Sequence, residues 1–100
     1  MRKYEIMFIV KPTLEESEIK KVASNFQNIL EKNGAKVTNV DAWGKRTLAY
    51  EIKKGNENFR SGYYYVLNIE TNSDAAVKEF DRLALINANV IRHLVIRTED

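Results

Sequence analysis

Cysteine is absent from the chain, which excludes disulfides, thiolate metal sites and a cysteine nucleophile and fits a reducing compartment. Histidine occurs once, as His93, inside a strand-like run with no Ser or Cys motif beside it. One imidazole cannot build an ordinary metal site, so His93 reads as structural or RNA-adjacent rather than catalytic, and no metal or cofactor is expected. The four glycines, Gly34, Gly44, Gly55 and Gly62, are scattered, each with a turn or bulge reading, so there is no phosphate-cradling loop. Nucleotide hydrolysis and a small-molecule substrate are disfavoured. The N-terminal apolar run, Ile6 to Val10, is closed by Lys11-Pro12 and is too short for a signal peptide or a membrane span, which points to a cytoplasmic protein without membrane attachment. Glu15, Glu16 and Glu18 complement the dipole at the start of a helix and face solvent rather than forming a catalytic carboxylate cluster.

What the chain does contain is a balanced mixture, 44% hydrophobic and 30% charged, over 100 residues, which fits one folded domain spanning 1–100. Residues 3–10 alternate Tyr4, Ile6, Phe8 and Val10 with Glu5, Met7 and Ile9; two largely apolar faces predict a central strand. Thr13 and Glu16 have capping-box spacing before a helical stripe of Ile19, Val22, Ala23, Phe26, Ile29 and Leu30, and Gly34 is the stop. Residues 35–52 predict a long strand bulged at Gly44, KKGNENFRSG a turn and loop, and residues 63–70 a strand with Tyr63, Tyr65, Leu67 and Ile69 inward. Ser73 is placed to cap a second helix with Asp74 in its first turn and Ala76, Val77, Phe80, Leu83 and Ala84 buried. Residues 90–97 form the last strand, whose inward side the pattern leaves open because both faces carry basic side chains.

The order βαββαβ predicts an α+β, ferredoxin-like sandwich: a four-stranded antiparallel sheet, first and third strands central, with both helices on one face. Its other face then presents Met7, Ile9, Tyr64 and Val66, with Leu94 and Ile96 on one parity of the last strand. An apolar patch of that size marks a partner site. Two enzymes or binders of this architecture are disfavoured. Acylphosphatase needs a phosphate-cradling loop with an arginine after the first strand, where VKPTLEES offers Lys11-Pro12 and then acids. The RNA recognition motif needs different residues from Ser61, Tyr64 and Asn68, and its stacking aromatics would face away from the helices, unlike Tyr63 and Tyr65.

Charge is distributed unevenly. The net charge is only +2, yet between Gly44 and Arg60 five cations accompany two anions, Glu51 and Glu57. That stretch includes GKRTLAYEIK, Gly44 to Lys53, which resembles the signature of the bacterial ribosomal small-subunit protein six family. The segments MRKYEIMFIVKPTLEE, NGAKVTNVDAWGKR and GYYYVLNIE resemble that family at corresponding places, so the likeness spans nearly the whole chain. Thr47 departs from it, standing where the family pattern carries a charged or amide side chain. The resemblance implies a non-catalytic constituent of the small ribosomal subunit that binds the central domain of small-subunit (16S) ribosomal RNA as a heterodimer with small-subunit protein eighteen. Cations neutralise phosphates while RNA shape supplies selectivity, which makes Arg2, Lys3, Lys45, Arg46, Lys53, Lys54, Arg92 and Arg97 the candidate RNA contacts. Trp43, Gly44, Leu48 and Tyr50, with Met7, Ile9, Tyr64, Val66 and Leu94, are the candidate partner surface. The competing reading is a ferredoxin-like protein-interaction or small-ligand regulatory module, which would show a pocket and ligand-induced stabilisation.

Overall fold

The computed structural model describes residues 2–99. Strand β1 (Arg2–Val10) leads to helix α1 (Glu16–Lys32), the strands β2 (Lys36–Lys54) and β3 (Glu57–Thr71), helix α2 (Ala75–Ile86) and strand β4 (Val90–Glu99). They build one sheet in the order β2-β3-β1-β4, with every neighbouring pair antiparallel, which is the ferredoxin-like arrangement. β1 and β3 are central, as two apolar faces on β1 require.

Both helices lie on one face. Tyr4, Ile6, Phe8 and Val10 of β1 and Leu67 and Ile69 of β3 pack against Ile19, Val22, Ala23, Phe26 and Leu30 of α1 and Ala76, Phe80 and Ala84 of α2. At the centre, Phe26 and Phe80 meet edge to face at 5.1 Å, and Phe8 touches both while stacking on Tyr65 at 5.4 Å. His93 settles the parity of β4: it faces the helices, with Nε2 2.8 Å from Asp81 Oδ1 and its ring against Phe80. Arg92, Leu94 and Ile96 therefore stand on the opposite face, in register with Ile9, Met7 and Glu5.

The helix stops follow the sequence more closely than the starts. α1 closes in a Schellman motif, with Ala35 N–H donating to Leu30 O and Gly34 N–H to Glu31 O. At its start Glu15 occupies the cap position with no side-chain cap hydrogen bond, so the Thr13–Glu16 capping box does not form; Glu16 instead pairs with Lys20 at 3.2 Å. Ser73 likewise caps nothing. Asp74 takes the cap position of α2, and its carboxylate pairs with Lys78 at 3.3 Å; that hydrogen bond holds the Asp74 carboxyl below the ordinary carboxylate range. Buried Thr71 organises the approach, its hydroxyl donating to Ser73 O and accepting from Ser73 N–H.

The largest departure concerns residues 53–62. They are not a loop: β2 and β3 run on to a two-residue turn at Gly55-Asn56, forming a long hairpin. Gly62 is neither turn nor bulge. It lies under Ile9 and Ile91, where a side chain has no room.

Candidate functional site

Gly44 sets the geometry of the sheet face away from the helices. It adopts φ +80°, and the register of β2 shifts between Ala42 and Gly44, so that Trp43 and Gly44 share Tyr64 as their partner. Trp43 and Arg46 are three residues apart and would point to opposite faces of a regular strand. The extra residue brings them onto the same face. The indole then stacks on Tyr64 with ring centres 6.0 Å apart and planes 7° apart. The Arg46 guanidinium carbon lies 5.9 Å from the indole centre, and its Nε donates to Trp43 O at 3.2 Å.

Further along, the hairpin folds across the end of the sheet. Between Thr47↔Ser61 and Ile52↔Phe59 the register shifts by three residues, leaving Leu48 to Glu51 opposite Arg60. Leu48, two residues beyond Arg46 on the same face, forms a second core with Ile9, Phe59 and Ile91. Lys54 Nζ reaches the C-terminal turn of α2 and donates to Leu85 O at 3.3 Å, where the helix carbonyls favour a cation. Glu51 and Arg60 pair across the bulge at 3.3 Å. A recess of about 160 Å³ opens between hairpin and sheet, lined by Met7, Ile9, Leu48, Tyr50, Ile52 and Tyr64, with Arg92 at its edge.

The predicted partner residues therefore divide. Ile9, Val66 and Leu48 are buried, Ile9 to 2% exposure, with Ile9 and Leu48 enclosed in the hairpin core. They support a surface rather than form one. Leu94 and Ile96 remain 47% and 46% exposed, Met7 and Tyr64 are half-buried, and Trp43 and Tyr50 are exposed. Tyr50 Oη lies 3.5 Å from Arg92 Nη1, within reach of the recess.

The predicted cations do not gather into one patch. Arg46 and Arg92 share the open face at the Ile9 end of β1, paired in register with Gly62 and Ile9. Lys45 pairs with Tyr63 and takes the helix-side parity. Lys53 is exposed near the hairpin turn beside Lys54. Arg2, at the far end of β1, lies near enough to Asp74 to act on its carboxylate, and Arg97 pairs with Tyr4 on the helix-side parity. Lys3 is on the open face, its Nζ 3.9 Å from Glu70 Oε1.

Phe59 and Ile91, the floor of the hairpin core, were absent from the predicted site. Alternation of apolar Phe59 with exposed Asn58 and Arg60 was a signal for strand there, and the Val90-Ile91 doublet, both buried, accompanies the register shift between Ile9 and Val10. Among the described residues no cluster of metal-ligating side chains occurs, and no helix is long and apolar enough to cross a membrane.

The whole arrangement has close counterparts. The chain matches the family described as Ribosomal protein S6 over residues 3–97. It is also similar to the crystal structure of 30S ribosomal protein S6 from Thermotoga maritima, with 30% sequence identity and a TM-score of 0.89, covering 97% of this chain and 87% of that one. The chain belongs to the ribosomal protein S6 family, whose members are structural, non-enzymatic proteins of the small ribosomal subunit.

Proposed function

We propose that this protein binds the central domain of 16S ribosomal RNA together with small-subunit protein eighteen and contributes to assembly of the subunit in the cytoplasm. The observation that carries this reading is the half-open sheet face. Met7, Leu94, Ile96 and Tyr50 offer apolar area for a protein partner, and Arg46 and Arg92 stand at the hairpin side of that area where an RNA backbone can follow. Trp43 lies at the seam between the two. A chain of net charge +2 has little long-range pull on RNA, so its affinity depends on a partner that adds a second contact surface.

The test is a gel shift with a central-domain fragment of 16S ribosomal RNA, with and without protein eighteen, at two salt concentrations. Tight, salt-sensitive binding that needs both proteins is the expected result. Failure of folded components to form any complex in either mixture refutes the proposal.

A further inference from the structure

We infer that Trp43 is a stacking platform for one unpaired RNA base, with Arg46 holding the phosphate of the same nucleotide. The inference rests on the RNA-binding reading above and gives it a contact that phosphate neutralisation alone does not include.

Three observations converge on this residue. First, the indole is pre-set: Tyr64 fixes its plane, and the Gly44 bulge fixes the backbone beneath it, so a base that lands on it does not have to order the ring. Second, 44% of Trp43 remains in water even with Tyr64 against it. A large aromatic that merely packed the hairpin would be covered, as Phe59 is. Third, its neighbour is a cation rather than an aliphatic side chain. The Arg46 guanidinium sits near the outer limit of a cation–π contact, is exposed, and is tied by a single hydrogen bond to Trp43 O. It can swing to a phosphate without leaving the nucleotide whose base lies on the ring. Unpaired RNA bases are recognised by this combination of an aromatic plane, an arginine fork and a backbone anion. A protein partner would be better served by the apolar residues of β1 and β4, Met7, Leu94 and Ile96, which lie together on the same face.

Trp43 is the sole tryptophan, so its fluorescence reports on the proposed contact directly. The full chain with protein eighteen is titrated with the central-domain 16S fragment, the same complex carrying Trp43→Phe serving as the blank for any partner signal, and inorganic polyphosphate is the anion control. RNA is expected to quench Trp43 and polyphosphate to leave it unchanged. Trp43→Ala is expected to weaken RNA binding by about 5- to 150-fold, the size of one base–aromatic stack, while Trp43→Phe, which keeps a ring, recovers most of the affinity. RNA that binds by gel shift with Trp43 fluorescence unmoved overturns the stacking inference and leaves the RNA-binding reading in place. A signal that changes fully on adding protein eighteen, with none left for RNA, assigns the ring to protein docking and also overturns it. If no RNA complex forms, both fall.

Discussion

A methyl group on Gly62 would run into the Ile9 γ2 carbon and come within 3.1 Å of Val10 O and 3.3 Å of the Ile91 δ1 carbon. Two of these neighbours are buried members of the hairpin core and the third is backbone, so none can yield cheaply. Gly62→Ala should cost about 1–3 kcal/mol as an overpacking change, read as a lower urea midpoint with unchanged slope. Gly44 presents the opposite case. A Cβ there meets nothing within 4 Å, but the residue holds φ +80°. Gly44→Ala should cost about 1–2 kcal/mol through backbone strain alone. The two variants separate in the emission of Trp43: Gly44→Ala alters the bulge that sets the indole and shifts its spectrum, whereas Gly62→Ala lowers stability and leaves the native spectrum unchanged. Equal spectra for both would show that the bulge does not position Trp43.

At the scale of the elements, the hairpin is a unit with its own small core. Ile9, Leu48, Phe59 and Ile91 pack on the face opposite the helices, separated from the Phe8, Phe26 and Phe80 cluster by the sheet itself. Removing Phe59 should therefore release the hairpin before the fold. In Phe59→Ala, backbone amides of residues 48–60 should exchange with solvent faster by a factor of ten or more, while those of β1 and of residues 65–70 keep their protection. Uniform acceleration throughout the sheet would mean that the hairpin and main core open together. This hairpin is also where the sequence was least legible. Strand alternation exposed the central strands because β1 and β3 have a fixed partner on each side, and the stop of α1 was visible because Gly34 has one favoured use. KKGNENFRSG carries the composition of a loop, and what favours strand there, the packing of Phe59 with Ile9, Leu48 and Ile91, is set by tertiary structure. The helix starts failed for a related reason: Thr13 and Ser73 can cap, but the cap position of α1 falls two residues after Thr13 at Glu15 and that of α2 one residue after Ser73 at Asp74, while Ser73 is drawn into the Thr71 turn. In the site, parity identified the open face and Gly44 marked the bulge beside Trp43, but the larger register shift between Thr47 and Ile52 has no one-residue signature.

For the whole molecule the consequence is electrostatic. Ile9 stands seven residues beyond Arg2 on β1, about 23 Å along the strand, so Arg46 and Arg92 at one end are more than two Debye lengths from Arg2 at the other in physiological salt. The two ends are therefore screened from each other and do not add into one field. They also differ in face, since Arg46 and Arg92 lie on the open face while Arg2 and Arg97 take the helix-side parity. RNA bound beside a protein partner on the open face should draw on the first pair. Arg46→Ala with Arg92→Ala is expected to reduce the slope of log affinity against log salt by about 1.4–1.8, two phosphate contacts at 0.7–0.9 each. Both side chains are exposed, so thermal stability should change by less than about 0.5 kcal/mol. Arg2→Ala with Arg97→Ala serves as the matched pair at the far end and should leave the slope within error of the parent. If instead the far pair lowers the slope and the near pair does not, the RNA approaches from the helix side, and the open face is left for the protein partner alone.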